Sequence, residues 1–340
     1  SNLSVPLLGA VDTAIVGRLD ELYYLGAIAV GSLVFDFIFW GFGFLRMGTT
    51  GLVAQALGAS NHQMIQNLWL RVALFGSVLG LALIVLQNPI AHWSLVIISP
   101  SAEVAQYATE YIKIRIWAAP ATLLLYGMNG WFLGVQNARI PMIITIVLNI
   151  INLVLNVVFV LVLDWKVVGI AFGSVIASYL GLFLALCFFF QSYAKRWASG
   201  WWREWQKSDF WEPSTWKEWL GVNNDIFIRT LCLIFAYAYF TTTSARAGDL
   251  VLATNSILLQ LWYISSYGID GFAYAAESLS GMYWGQKNTE AFKQVVRKTM
   301  QWGLGLGLSL SALFYLGFES LFMLFTDKPA VVEQAHYVML

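Results

Sequence analysis

Long apolar segments recur along the whole chain, and short polar connections separate them. We count nine such segments and the beginning of a tenth. Their approximate bounds are 1–17, 25–57, 69–88, 104–133, 140–163, 167–193, 218–246, 250–284 and 299–326, and the tenth starts at 331. A helix needs about 20 apolar residues to cross a bilayer core of about 30 Å. Because isolated strands leave backbone groups unsatisfied in lipid, this pattern predicts an all-α polytopic membrane protein.

The composition agrees with a membrane protein. Hydrophobic residues make up 59% of the 340 positions and charged residues 11%, whereas soluble domains carry about 25% charged residues. The formal net charge is zero, so nothing favours a nucleic-acid partner. The two cysteines and three histidines show no ligand spacing, and no catalytic or nucleotide-binding motif is present in the sequence. We therefore expect neither an enzyme nor a bound cofactor.

Basic residues are distributed unevenly between the connections. Eleven lysines and arginines lie in or beside the loops after the second, fourth, sixth and eighth segments, and six lie on the alternate side. The positive-inside rule therefore places the even loops in the cytoplasm. The longest connection, 194–217, belongs to a stretch that holds seven of the sixteen tryptophans together with basic residues. Such a stretch is typical of an interfacial helix, so membrane lipids are expected partners.

The two parts of the chain on either side of this connection are related. LGAIAV at 25–30 aligns with LATNSI at 252–257, and the same offset of 227 residues pairs three further positions: Gly41 with Gly268, Gly58 with Gly285, and Asn61 with Asn288. An even number of spans separates the copies, so both keep the same orientation. We expect two six-helix bundles related by a pseudo-two-fold axis along the membrane normal, which is a transporter design. The N-lobe would comprise 1–193, the linker 194–217, and an incomplete C-lobe 218–340.

Charged residues inside spans are the first candidates for function, because each costs about 2.5–3.5 kcal/mol on insertion scales. Asp12 has no basic residue within one helical turn. Loss of water favours the neutral form of such a carboxyl, which can then bind and release a proton. Pro6 lacks a backbone donor, so we expect the helix to hinge there. The alternative is a carboxyl held permanently by hydrogen bonds from neighbouring helices.

Six more charges lie in the second, seventh and eighth spans: Asp36, Arg46, Asp225, Arg229, Asp270 and Glu277. Asp225 and Arg229 are four residues apart, which is typical of an ion pair within one helix. Asp270 and Glu277 are seven apart and share a helix face, so they either pair with an arginine of the spans, Arg46 or Arg229, or line a cavity for a cationic solute.

Two polar features leave their roles open at the level of the sequence. One is a stripe on a single face of the fifth span, formed by Thr145, Asn149, Asn152 and Asn156. Amides in lipid seek partners, so this stripe is either a contact between helices or the wall of a hydrated pocket. The other is Asp36, which either lines a cleft or makes a satisfied polar contact.

Several segments resemble the MATE multidrug exporters, and most of all their DinF branch. These are VDTAIVGRL, LGAIAVGSLVFDFIFWGFGFLRMGTTGLVAQALGA, NDIFIR and YGIDGFAYAAESLSG. The resemblance implies a twelve-span parent fold, so we expect the chain to lack the start of the first span and most of the last three. It also implies a bacterial inner-membrane antiporter, functional as a monomer, that confers drug resistance by expelling cationic or amphipathic organic compounds.

The family resemblance also assigns roles to residues. It implies that Asp12 is the proton-binding residue and that the acids of the second half take part in transport. In some members an Asn–x3–Asp pair and a threonine complete a cation site in the N-lobe, and here Asn152, Asn156 and Ser174 stand at those positions. Because an amide replaces the second carboxylate, proton coupling is favoured, and sodium stays open.

Two alternatives come from the same broad superfamily: sodium-coupled efflux, and flipping of lipid-linked oligosaccharides. The spans hold five acids against two arginines, which favours cationic cargo over a pyrophosphate.

Overall fold

The computed structural model describes residues 21–194 and 210–318, together with Phe322, Phe325 and 331–335. Asp12 and Pro6 therefore lie outside the described residues, as does most of the tryptophan-rich connection. The described part is helical and contains no strand, so the predicted all-α class is confirmed. Five of its helical stretches are long and apolar enough to cross a membrane: Tyr23–Gly58, His62–Val85, Arg139–Val162, Lys166–Tyr193 and Pro213–Arg246.

The helices of the first half follow the predicted segments in order. They are α1 (Leu22–Gly41), α2 (Phe44–Gly58), α3 (His62–Val85), α4 (Gln87–Ile98), α5 (Ala102–Arg115), α6 (Ala119–Gly134), α7 (Arg139–Val157) and α8 (Lys166–Phe189). The helices of the second half are α9 (Pro213–Arg246), α10 (Asp249–Gly285) and α11 (Thr289–Leu316).

The structure differs from the sequence-based segments in four places. The second span is broken at Phe42 and Gly43 into α1 and α2, and the fourth contains one 3-10 turn, Ile116–Ala118. Helix α4 occupies a stretch that was expected to be a connection. Helix α9 begins at Pro213, inside the predicted linker 194–217, because proline suits the first turn of a helix.

Arginine 71 anchors the start of α9 to the first half. The sequence pattern placed Arg71 with the loop residues, but the structure buries it within α3 at 3% exposure. Its guanidinium donates to the Thr215 hydroxyl at 2.6 Å and lies over the Trp216 ring at 5.5 Å. A buried cation needs such partners, and here they come from the second half.

The internal repeat is confirmed at the level of the backbone. The stretch 22–58 and helix α10 have the same length and the same ends after the 227-residue shift. The turns that follow are also copies. Ser60 and Lys287 both have positive φ, 54° and 57°. Asn61 and Asn288 each cap the next helix by accepting a hydrogen bond at 3.0 Å from a backbone amide three residues on.

Glycines bring the two halves into backbone contact beside these turns. A Cβ on Gly58 would overlap the carbonyl of Met282, and a Cβ on Gly285 would overlap the carbonyl of Gln55. Gln55 and Met282 are themselves 227 residues apart, so the two contacts are images of one another. Such reciprocity is what a two-fold interface requires. We call these four residues the glycine seam.

Hydrogen bonds extend the seam to α6. The Gln136 side chain donates to the carbonyl of Ser278 at 2.9 Å, and the Ser278 hydroxyl donates to the carbonyl of Leu133 at 2.6 Å. Ser278 is buried at 6% exposure. Helices α2, α6 and α10 therefore close together at the end of the molecule that carries the turns after Gly58 and Gly285.

Candidate functional site

The site lies where α2 of the first half faces α10 of the second. Arg46 Nη1 is 3.6 Å from Glu277 Oε2, and the guanidinium carbon is 4.2 Å from the centroid of the Tyr274 ring. The side chains of Arg46 and Glu277 are 17% and 24% exposed. One ion pair thus joins the two halves, and it remains partly accessible.

Local structure explains why these three side chains meet. Tyr274 and Glu277 are three residues apart on α10, so they lie on the same helix face. On α2, the backbone of Arg46 sits against Gly130 of α6, where a Cβ would overlap it. The Thr50 hydroxyl also donates to the Arg46 carbonyl at 2.9 Å. Close packing therefore fixes the backbone position of Arg46.

The guanidinium is not fully satisfied by this arrangement. Arg46 Nη1 is inaccessible to water and has no hydrogen-bond partner among the residues that the structure describes. Its distance of 3.6 Å to the carboxylate is longer than a hydrogen bond between these groups. The pair is thus held by charge attraction and by the aromatic ring rather than by a bidentate contact.

Asp36 lies near a second arginine, which sequence reasoning missed. Arg115 donates to the Ser32 hydroxyl at 3.5 Å, and Ser32 lies one helical turn before Asp36 on α1. Arg115 donates to the Tyr111 hydroxyl and lies over the Phe35 ring at 5.3 Å. The sequence pattern counted Arg115 among the six basic residues of the alternate side, although its position falls within the predicted segment 104–133. Its tyrosine neighbour four residues earlier was the only local signal for a position inside the bundle.

The remaining charges of the second half are arranged differently from the prediction. The predicted pair of Asp225 with Arg229 is wrong: both are described and exposed, and no ion pair joins them there. The charge of Arg229 acts instead on Glu277 of the neighbouring helix. Exposed partners on one helix gain little from pairing, so a spacing of four residues does not by itself produce an ion pair. The charge of Arg46 also acts on Asp270.

The amide cluster of the N-terminal half forms as a contact between helices. Asn152 donates to the Ser174 hydroxyl at 3.3 Å, and Asn156 donates to the Asn152 side chain at 3.2 Å. Both asparagines are buried, with 4% and 0% exposure. The bond from Asn152 to Ser174 joins α7 to α8, which is the kind of helix contact that one of the two readings of this stripe expected. Asp12, the predicted partner of the cluster, lies outside the described residues.

Metal ligands are not grouped in the described ranges 21–194 and 210–318. No three His, Cys, Asp or Glu side chains lie close enough there to hold a metal ion together. Cys187 and Cys232 are free thiols, and Cys232 is exposed.

Comparisons with known proteins give the family. The profile described as MatE matches residues 1–158 and 226–340. The chain is 36% identical over 335 residues to the DNA damage-inducible protein F of Escherichia coli K12, covering 98% of this chain and 72% of that protein. It is 24% identical over 343 residues to the probable multidrug resistance protein NorM of Thermotoga maritima, covering 98% and 71%.

A solved structure supports the fold. A transporter of the MOP superfamily from Pyrococcus furiosus superposes with a TM-score of 0.84 at 18% identity, covering 98% of this chain and 73% of that one. The resemblance to the DinF branch is confirmed by the E. coli relative, and the expectation of a multi-pass transporter rather than an enzyme is confirmed by the family. Because the family match takes in both halves and most of the chain, this protein belongs to the MatE family of multidrug efflux transporters.

Proposed function

We propose that the protein is a proton-coupled antiporter that exports cationic or amphipathic organic compounds by alternating access. The observation that carries the proposal is the arrangement at the interface of the halves. They close at one end through the glycine seam, and the Arg46–Glu277 pair lies at the same interface. Acids and aromatic rings of the spans are thus placed where two lobes, 1–193 and 218–340, would move against each other.

The distribution of basic residues sets the direction. The turns beside the glycine seam belong to the loops with more lysine and arginine, so the seam end faces the cytoplasm in this proposal. The described state is then closed toward the cytoplasm. Cargo would enter only after Gly58 and Gly285 separate from Met282 and Gln55.

The coupling ion is assigned to Asp12 on sequence grounds. Binding of a proton drives transport only if it favours one conformation over the other. A hinge at Pro6 would connect the proton to movement of the first helix. The resemblance to the family places the amide cluster of Asn152, Asn156 and Ser174 in the same cation site as Asp12. This cluster offers only uncharged oxygens, whereas hard cations such as sodium prefer charged ones.

The charges at the interface favour cationic cargo over the flippase alternative. Arg46 is paired with Glu277, and the charge of Arg115 acts on Asp36, so each of these arginines is offset by an acid. Asp225 on α9 and Asp270 on α10 add two further acids, and Arg229 on α9 adds one arginine, so the acids stay in excess. A lipid-linked pyrophosphate is negatively charged, so its binding would need an excess of positive charge at the interface. The multidrug-resistance name of the Thermotoga relative agrees with organic drugs as cargo.

The test is proton-driven transport of ethidium in proteoliposomes, with proton and sodium gradients clamped separately. Asp12→Asn should abolish the proton-driven flux because the variant cannot titrate, while Asp12→Glu should retain it. Asp20→Asn is the matched control, since Asp20 lies in the polar connection that follows the first span. Proton-driven flux in Asp12→Asn, or flux driven by sodium alone in the wild type, would contradict the assignment.

A further inference from the structure

We propose that Arg46 is a tethered cation that occupies an organic-cation site formed by Tyr274 and Glu277, and that cargo binds there by displacing it. The inference rests on the exporter function proposed above. It assigns one cargo-binding position to named residues and a competing role to the arginine.

The site has the composition that recognises organic cations. A carboxylate and the face of an aromatic ring stand on one turn of α10, and the guanidinium lies 4.2 Å from the ring centroid. Aromatic faces attract quaternary and aromatic ammonium groups as well as guanidinium. The carboxylate and the aromatic ring that hold Arg46 are therefore also suited to bind an organic cation.

Arg46 is held weakly enough to be exchanged. Its closest carboxylate contact is 3.6 Å, and its Nη1 lacks a hydrogen bond within the described part of the chain. A bidentate pair would lose two charge-assisted hydrogen bonds on release, whereas this pair has none to lose at that atom. The partial exposure of both side chains gives a ligand access to the ring and the carboxylate.

A second acid, Asp270, lies on the same face of α10 as Glu277. Asp270 lies seven residues earlier on α10, about 10.5 Å along the helix axis. Movement of the arginine toward Asp270 would avoid leaving a buried charge unpaired, which is otherwise strongly unfavourable.

Displacement would also affect the contact between halves. Arg46 comes from α2 and its site from α10, so the pair is one of the links between the two halves. A cargo molecule that occupies Glu277 removes this link. Once the seam has opened and cargo has entered, its binding would thereby stabilise the separated state, because a ligand shifts an equilibrium by its differential affinity for the two states.

The first test replaces the tethered cation by a free one. We would measure thermal unfolding of purified Arg46→Ala with increasing ethylguanidinium. The variant should be stabilised saturably, whereas the wild type and Arg46→Ala/Glu277→Gln should not respond. Arg46→Lys, which keeps a cation on the chain, should behave like the wild type. Absence of the response in Arg46→Ala, or an equal response in the double variant, would overturn the site.

The second test uses ethidium binding, measured by fluorescence anisotropy on the same proteins. Loss of the competitor should lower the Kd of Arg46→Ala about tenfold, in line with the strength of a partly desolvated cation–aromatic contact. The same substitution in the Glu277→Gln background should change the Kd less than about twofold, because coupled residues show non-additive effects. Tyr274→Leu should weaken binding, and Tyr274→Phe should not.

Arg229→Ala is the matched control, since Arg229 also acts on Glu277 but comes from the same half. It should not create an ethylguanidinium response. If Arg46→Ala responds to ethylguanidinium but binds ethidium no better than the wild type, cargo does not use this position and the inference is wrong. The exporter function would be unaffected by that outcome, because it is judged by proton-driven flux.

Discussion

The stretch 22–58 and helix α10 are the two copies of the internal repeat, and they differ in the region that carries the charged residues of the candidate site. Both span 37 positions and both end in the same capped turn. The first copy is broken at Phe42 and Gly43, whereas the second is a continuous helix. Asp270 stands at the position equivalent to Gly43. The shared ends are demanded by the glycine seam, which needs both copies in the same conformation.

The charges of the two copies are not repeated. Arg46 corresponds to Ala273, Glu277 to Thr50, and Asp36 to Tyr263 after the 227-residue shift. The Arg46–Glu277 pair therefore has no image across the pseudo-two-fold axis. The backbone of the two copies is thus symmetric while their charged side chains are not. The two halves can therefore bind different ligands.

The largest effect is expected from a cross-link that holds the two halves together at the glycine seam. Ala54 and Gly281 are equivalent positions that face each other, and a Cβ on Gly281 would be 2.9 Å from the Cβ of Ala54. A disulfide needs about 3.8 Å, a small adjustment. Ala54→Cys/Gly281→Cys, in a background with Cys187 and Cys232 replaced by serine, should lose ethidium transport on oxidation and regain it on reduction. Each single cysteine is the control, and transport by the fully cross-linked protein would show that the seam does not open.

A milder change should weaken the same contact from either side. Gly58→Ala and Gly285→Ala would each place a methyl group against a backbone carbonyl. Overpacking of this kind costs about 1–3 kcal/mol, so both variants should unfold at lower temperature and transport less. Gly41→Ala and Gly268→Ala form the matched pair with the same offset, since no atom lies within 3.4 Å of the added methyl. Equal losses in both pairs would contradict a specific role for the seam.

The smallest expected effect concerns the caps. Asn61→Ala and Asn288→Ala each remove one side-chain acceptor, at a typical cost of about 1 kcal/mol. The two variants should show similar decreases in thermal stability, because the turns are geometric copies. Aspartate at either position keeps the acceptor and should restore stability. Markedly different decreases would show that the surroundings of the two caps, rather than the caps, set their value.

Most of the helices and the repeat could be predicted from the sequence, because the length of apolar segments and an offset of 227 residues can be read directly from the order of the residues. The break at Phe42 and Gly43 could not. Two glycines around one phenylalanine weaken a helix by about 1 kcal/mol each relative to alanine, but α10 also contains glycine near this point and continues. The local glycine content therefore does not distinguish the two copies.

The candidate site was predictable as a set of residues and not as a set of contacts. Arg46, Asp270 and Glu277 were visible as costly charges in apolar segments, and pairing with Arg46 was one of the alternatives. Asp225 and Arg229 show the limit of that reasoning, because their spacing predicted a pair that the structure does not form. Spacing along one helix describes neighbours on that helix and carries no information on the helix opposite.

The sequence by itself determined that the chain crosses a membrane in two related sets of helices and which charged side chains must find partners there. These properties follow from local hydrophobicity and from periodicity, which each segment carries alone. Only the tertiary structure decided that Arg46 reaches Tyr274 and Glu277, that Arg115 lies near Asp36, and that Arg71 holds the start of α9. Those contacts depend on the rotation and register of helices far apart in the chain, which close packing at glycines sets.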